Sequence, residues 1–291
     1  MTGPVTTPPA ACICCSVTSA APAKGLPGLL RCGGCGHVWA DLALSDDELA
    51  ALYARDYFEG DEYLDYEMEA PALARNFRFR LRDLTRAVPS RGRLWEIGAA
   101  YGFFLQAARD VGFEASGCDI SEHAAGIARD RFGLDVAAAD YLSMPAPQIR
   151  HDAVCLWDTV EHLRDPHLYL AKAHAELREG GAIALSTGDI GSLNARLSGS
   201  RWRLIHPPTH LHYFTASSMA TLLRRIGFRD VRVSHPAFWR SADAVAYRLM
   251  ACPPGSKPIR AAVYAKLKAW GLLGFFFPLN TGDLMSGTAI K

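Results

Sequence analysis

The sequence has no surplus of charge of either sign: 31 lysines and arginines face 30 acidic residues, a formal net charge of +1. Such a chain projects no global field that would recruit nucleic acid or an anionic membrane, so nothing in its charge asks for a nucleic-acid partner. It also has no apolar run long enough to cross a bilayer. The most apolar stretch, AWGLLGFFFPL at 269–279, falls short of a spanning helix and is broken by Gly271, Gly274 and Pro278. The first residues, MTGPVTTPPAA, lack the basic segment followed by an apolar one that marks a secretory signal. These absences lead us to expect a cytoplasmic protein without an integral membrane segment. With 49% hydrophobic and 21% charged residues, the 291-residue chain reads as an ordinary globular protein of one large domain plus a small one.

Cysteine is sparse over most of the chain, yet five of the 8 fall within the first 35 residues. Cys12 and Cys15 form one C-x-x-C knuckle, Cys32 and Cys35 another, and the stretch between is rich in Pro, Gly, Ser and Ala. In a reducing compartment, clustered cysteines point to metal rather than disulfides. Four thiolates from two knuckles suit tetrahedral, structural Zn2+, and a closed four-sulfur site leaves no open position for catalysis. Cys14 is a fifth thiol that could replace one ligand. A reduced thiol cluster or a redox pair is the alternative, weakened by the absence of a βαβ pattern around the cysteines. The expectation is a small zinc-ribbon-like module over residues 1–40. Cys118 and Cys155 fall in predicted buried strands, where cysteine behaves as a small hydrophobe.

Residues 41–90 read as a helical connector. Ser45 and Glu48 have capping-box spacing, which starts a helix near Asp46. Leu73, Phe77, Leu81 and Leu84 recur with helical periodicity up to Pro89-Ser90. From residue 91 to 238 strands and helices alternate. RLWEIG, FEASGCDIS, VAAADY, HDAVCLWD, AIALST and RDVRVSH read as strands; FFLQAARDVG, EHAAGIARDRFG, HLYLAKAHAELREGG and SSMATLLRRIGF read as helices. That alternation predicts an α/β fold with a doubly wound, mostly parallel sheet whose ligand sits beyond the carboxyl ends of the strands. Residues 239–291 hold a helical stretch around PIRAAVYAKLKAWGLL and a β-like DLMSGTAIK. The helix has an apolar and a basic face and is expected to pack on the core rather than lie on a membrane or partner.

The dinucleotide fingerprint G-x-G-x-x-G is also missing. After the strand at 93–97 the glycines are Gly98 and Gly102, with Ala99 and Ala100 between them, and the helix-packing glycine of that motif is absent. An acid, Glu96, precedes the turn, which a dinucleotide site does not require. This disfavours an NAD-linked oxidoreductase.

The residues that are present resemble the class I S-adenosylmethionine-dependent methyltransferases, whose first motif is acid-x-G-x-G-x-G; Ala100 replaces the central glycine. GCDIS places Asp119 and Ile120 after the second strand, where the resemblance implies that the carboxylate binds the ribose hydroxyls. AADYLSMP places Asp140 and Tyr141 where the family meets the adenine amino group. LWDTVEHLRDP, beginning at Leu156 and including Asp158, resembles the D-x-x-E-H-x-x-D-P run of the ubiquinone-type enzymes. The bland reading of each acid is a helix cap or solvated charge. Glu96, Gly98, Ala100, Gly102, Asp119, Ile120, Asp140, Tyr141 and Asp158 are thus the expected cofactor residues, and S-adenosyl-L-methionine the expected cofactor. The resemblance implies a Rossmann-like seven-stranded sheet whose last strand, over Asp283–Ala289, is antiparallel. The cysteine module and LYARDYFEGDEYLDY are similar to one branch that includes sugar C-methyltransferases and natural-product enzymes.

A sulfonium methyl is already activated, so the protein must orient the acceptor and manage its proton. Candidate bases lie in RWRLIHPPTHLHYFT: His210 and His212 share one face of an extended segment. His206 is four residues before His210, but Pro207-Pro208 prevents a helix between them. His162 follows the fourth strand. Trp202 and Tyr213 are candidate pocket walls, and Tyr63 and Tyr66 candidate lids; core packing is the alternative for each. The expected reaction is O-methylation of a small-molecule acceptor, a sugar, glycan or natural product. Carbon methylation of a nucleotide-linked keto-sugar is the second reading, and a non-catalytic zinc-ribbon adaptor with a nucleotide-binding domain the third. A homodimer stays open.

Overall fold

The computed structural model of the protein describes residues 11–42, 48, 66–251 and 258–291. The expected helix near Asp46 and Tyr63 fall outside them, apart from Glu48, as does the side chain of Tyr66. Three short strands open the chain: β1 (Ala20–Pro22), β2 (Leu29–Cys32) and β3 (Val38–Ala40). Helix α1 (Tyr66–Ala87) follows, then β4 (Gly92–Ile97), α2 (Phe103–Asp110), β5 (Phe113–Asp119), α3 (Glu122–Phe132) and β6 (Asp135–Ala138). Next come β7 (His151–Trp157), α4 (Pro166–Glu176), β8 (Leu177–Gly188), α5 (Leu193–Ser198), β9 (His212–Tyr213), α6 (Ala216–Ile226) and β10 (Arg229–Ser234). The remainder is β11 (Phe238–Ser241), α7 (Ala242–Met250), α8 (Pro258–Ala269), β12 (Phe276–Leu279) and β13 (Leu284–Ile290).

The central sheet has seven strands in the order β10-β13-β8-β7-β4-β5-β6. β13 is antiparallel to both neighbours; the β8, β7, β4, β5 and β6 pairings are parallel. The inner strands are buried on both faces, which is why HDAVCLW and AIALSTG read as nearly unbroken apolar runs. Side chains alternate between two cores. Val154, Leu156, Ile183 and Leu185 meet Leu170, Met219 and Leu222 on one face. Ala153, Cys155, Ala182 and Ala184 meet Phe104, Leu81 and Leu84 on the other. Each such leucine or phenylalanine, fully removed from water, contributes about 1.5–3 kcal/mol. The strand order reverses between β4 and β7, so the carboxyl ends of these two strands form the crevice in which an α/β sheet takes its ligand.

Three elements differ from the sequence-based expectation. The helix expected over 167–181 stops at Glu176, and Leu177–Gly181 enter β8. Pairing with β7 overrides the helical propensity of Leu-Arg-Glu: His151 faces Leu177 and Ala153 faces Ala182, so the register shifts. Gly180, at φ 71°, adopts the left-handed backbone within the shifted stretch. Secondly, α8 does not pack into the core; none of its residues is buried. Thirdly, β9 leaves the region of the large sheet and pairs with β3, completing a four-stranded sheet β1-β2-β3-β9. The cysteine-bearing strands and the 202–214 segment are therefore one packed unit.

The turn before β13 is held by Asp283, whose side chain is fully buried. It accepts from Trp202 Nε1 (2.8 Å), Asn194 Nδ2 (2.9 Å) and the Thr281 hydroxyl. Although burial acts the other way, these bonds and Arg203 hold its carboxyl below the usual range. Asp283→Ala strands those donors. It is expected to cost on the order of 3–5 kcal/mol in urea unfolding; a loss below about 0.5 kcal/mol, usual for a surface change, would refute the role.

Candidate active site

The turn after β4 has the shape its small residues dictate. Gly98 and Gly102 have φ of 76° and 77°, the left-handed region glycine enters without cost. A Cβ on Gly98 would sit 2.6 Å from Thr159 Oγ1. One on Gly102 would sit 2.6 Å from Leu134 Cδ1 and 2.9 Å from the Ala128 Cβ. Gly102 thus supplies the close helix packing that the spacing alone left without a residue. Ala100 also has positive φ, 46°, a conformation that strains a residue with a Cβ. Its amide donates to Asp119 Oδ2 at 2.8 Å, tying the strained residue to the end of β5.

The expected acids line the strand ends. Asp119 is buried and accepts from the Ser121 amide at 2.9 Å through Oδ1. Burial raises its pKa, and the amides of Ser121 and Ala100 oppose the rise. Ile120 beside it is 54% exposed, an apolar surface next to a carboxylate. Asp140 caps the short turn Tyr141–Ser143 through the Leu142 amide and accepts from the Tyr169 hydroxyl at 2.5 Å. Tyr141 is buried, and its hydroxyl donates to Glu176 at 2.6 Å. Glu96 is buried with Oε2 unpartnered among the described residues. Burial pushes its carboxyl well above the usual range, against the pull of Arg80.

At the end of β7, Asp158 has φ 50° and accepts from Ser186 Oγ at 2.8 Å and Arg80 at 2.9 Å. Burial works against ionisation there, but Arg80 and Ser186 together hold the carboxyl below its ordinary value. The Arg80 guanidinium lies over the Trp157 ring at 4.6 Å. Arg80, on α1, and the next acid, Glu161, were not among the residues singled out from sequence. Glu161 stood inside the quoted D-x-x-E-H run, whereas an arginine in an amphipathic helix carries no local signal.

The histidines converge on that acid. His162 and His210 rings meet edge to face at 4.5 Å, and His206 lies 3.9 Å from His210 without a helix between them. His162 Nδ1 pairs with the Thr209 carbonyl and His210 Nδ1 with that of Leu204, both at 2.9 Å. Ligand atoms of Glu161, His162 and His210 all lie within 4.8 Å of one another, close enough to ligate one metal ion. Burial lowers His162 to about 4 and His210 to about 2, and raises Glu161 to about 8, with Asp158 adding to the rise. Glu161, Trp202, His210, His212 and Tyr213 line one small cavity, so His210 and His212 do face it together. Both nitrogens of His212, however, are engaged: Nε2 with the Arg164 carbonyl (2.9 Å) and Nδ1 with His37 Nε2 (3.1 Å).

A family model described as a methyltransferase domain matches residues 63–233. The chain belongs to that family. It is a class I S-adenosylmethionine-dependent methyltransferase, and S-adenosylmethionine is its cofactor. A ubiquinone biosynthesis O-methyltransferase of Cereibacter sphaeroides is 27% identical over 174 residues, 54% of this chain and 70% of the relative. Magnesium protoporphyrin IX methyltransferase from Synechocystis shares the fold at a TM-score of 0.55 and 11% identity, with 85% of this chain and 100% of the other covered. A SAM-dependent methyltransferase from Archaeoglobus fulgidus does so at 0.52 and 18%, covering 81% and 97%.

The methyltransferase carries a second cluster. The sulfurs of Cys12, Cys15, Cys32 and Cys35 lie within 4.8 Å of one another, with Cys12–Cys35 at 3.6 Å and Cys15–Cys32 at 3.5 Å. Sulfurs about 2.3 Å from a tetrahedral ion stand roughly 3.8 Å apart, so the four fit such an ion. Amides of Cys14 and Gly34 point at Cys12 Sγ (3.4 Å) and Cys32 Sγ (3.3 Å). Cys14 itself is outside the group of four. This module reaches the histidine segment through His37, which meets His212. Arg164 O can only accept, so His212 donates from Nε2. A neutral His212 then accepts at Nδ1, which makes His37 Nε2 the donor.

Glu161 gives the stability a pH signature. Its folded pKa of about 8 lies above its ordinary 4.5, so between these values the native state keeps a proton that the unfolded chain has lost. Its contribution is complete below 4.5 and falls as pH rises to 8. The stability of wild type relative to Glu161→Gln is expected to fall from pH 5 to pH 8 by up to about 1.4 kcal/mol per pH unit. A difference that is flat with pH, or rises, would refute the assignment.

Proposed function

We propose that this methyltransferase transfers the methyl group to a hydroxyl of a small sugar, glycan or natural-product acceptor. The observation that carries this reading is the group of buried Glu161 and His210 with half-buried His162 beside the end of β7. A hydroxyl acceptor loses its proton as it is methylated, and a titratable group near neutrality takes that proton best. Glu161, raised by burial to about 8, takes it in its ionised form, a fraction that is small at neutral pH and grows as pH rises to 8, so methyl transfer is expected to speed up over that range. His210 and His162, lowered by burial, orient the acceptor as neutral hydrogen-bonding partners. His212, with both nitrogens engaged, positions the segment rather than acting as base.

In the same reading Asp119 holds the ribose, Asp140 the adenine amino group and Ile120 packs against the base, while Glu96 and the turn at Gly98–Gly102 hold the methionine end. The unpartnered Glu96 Oε2 and the left-handed backbone at Gly98 and Gly102 support it. The cofactor supplies the activated methyl. Arg80 keeps Asp158 ionised at the mouth. Cys12, Cys15, Cys32 and Cys35 hold a structural Zn2+.

Thermal unfolding with S-adenosylhomocysteine, NAD⁺ and NADP⁺ in parallel tests the cofactor site, because a bound ligand raises the melting temperature by mass action. Only S-adenosylhomocysteine is expected to raise it, and Asp119→Ala to abolish the rise. Methyl transfer to a panel of hydroxyl acceptors and nucleotide-linked keto-sugars then separates oxygen from carbon chemistry. Transfer to carbon alone, or none in wild type with the shift intact, sinks the hydroxyl reading.

The zinc reading has its own readout. The purified chain is expected to hold one zinc. Chelation is expected to speed deuterium exchange at the Leu211 and His212 amides while the S-adenosylhomocysteine shift persists, since the module buttresses β9 and not the cofactor turn. Zinc-free protein with unchanged exchange there would overturn it.

A further inference from the structure

Between Asp243 and Asp283 the chain carries Arg248, Lys257, Arg260, Lys266 and Lys268 and no acidic residue. The whole chain is only +1, so the rest is net negative and the positive charge is gathered here. This stretch forms an excursion between β10 and β13. The β11–β12 hairpin is its base: Phe238 faces Leu279 and Ser241 faces Phe276. The base is anchored beside the active site, with Phe238 5.6 Å from the Arg80 guanidinium that pairs with Asp158, and Trp239 and Phe276 under Arg75 at 5.1 and 4.6 Å.

The far end is apolar and uncovered. Ile259, Val263, Leu267 and Trp270 follow the i, i+4, i+8, i+11 spacing that lines one helix face, with Arg260 and Lys266 on either flank. Ile259 is 69% exposed, Trp270 70% and Phe275 56%. α8 meets α7 by another side, through the Tyr247–Tyr264 ring contact at 5.6 Å and Tyr264 and Lys268 on Asp243 at 2.8 and 3.0 Å. Arg260 and Lys266 make no ion pair among the described residues.

We propose that this excursion is a peripheral docking surface for an anionic lipid bilayer. Large exposed apolar side chains flanked by cations are what an interfacial helix presents: the apolar face enters the headgroup boundary and the flanking charges meet acidic headgroups. A second copy of the chain fits less well. An isologous contact would bring this acid-free stretch against its own image, and like charges across an interface are costly. An exposed tryptophan with aliphatic neighbours favours lipid over a nucleic-acid backbone.

The test is sedimentation of the full-length protein with vesicles of phosphatidylcholine alone and of phosphatidylcholine with phosphatidylglycerol. Binding is expected only to the phosphatidylglycerol vesicles and is expected to weaken with salt. Arg260→Glu with Lys266→Glu is expected to reduce binding by about thirtyfold or more, and Trp270→Ala to weaken it. Both variants should keep the wild-type S-adenosylhomocysteine shift, and Asp119→Ala should bind vesicles as wild type, so the two proposals fail separately. Absence of binding to phosphatidylglycerol vesicles, or charge-reversed protein that binds them as tightly as wild type, overturns the proposal. So does a wild-type dimer in solution that Trp270→Ala converts to monomer, or RNA binding that the charge reversal abolishes in place of vesicle binding.

Discussion

Two backbone amides, those of Leu211 and His212, donate to the single carbonyl of Glu161 at 2.9 and 3.0 Å. The placement of the histidine segment depends on this pairing. It fastens the segment after β8 to the loop after β7, and it fixes the backbone of the residue whose carboxyl faces His162 and His210. The next carbonyl along, that of Leu211, accepts from Ala40 of the cysteine module at 2.8 Å. One short run of chain thus joins the metal-type cluster, the histidines and the edge of the large sheet.

The two halves of the site are built on different principles. The cofactor half is steric and local. Gly98, Ala100 and Gly102 turn the chain tightly after β4, and the cost of a Cβ at positive φ in Ala100 is set against the bond from its amide to Asp119. The half around Glu161 is electrostatic and assembled from distant sequence. Arg80 of α1, Glu161 after β7, Ser186 in β8 and His210 before β9 share a poorly hydrated region, with the more exposed Asp158 at its edge. There burial raises Glu161 and lowers His210, while Arg80 and Ser186 hold Asp158 down against it. The small cavity beside them is closed in part by Trp202, whose indole nitrogen is fixed by Asp283 just before β13. The last strand therefore supports the site without touching it.

Much of this was legible in the sequence because it rests on short-range rules. Alternating strand and helix patterns, an acid before a small-residue turn, acids at strand ends and two C-x-x-C knuckles all act within a few residues of themselves. They led to the doubly wound sheet, while its antiparallel last strand and the expected cofactor residues followed from the family resemblance that those motifs carry. The end of α4 was not legible. Leu-Arg-Glu favours helix locally, and only pairing with β7 draws it into a strand. Nor was the exposure of α8, since an amphipathic pattern says that a face is apolar but not what covers it.

By itself, then, the sequence determined the fold class, the small-residue turn after β4 and the grouping of four cysteines, because periodicity and spacing carry each of these. Only the tertiary structure decided that Arg80 belongs to Asp158, that the Glu161 carbonyl receives the amides of Leu211 and His212, and that His37 of the module meets His212. These are contacts across 78, 51 and 175 positions or depend on them, and burial and partner choice at such separations exist only once the chain has closed on itself.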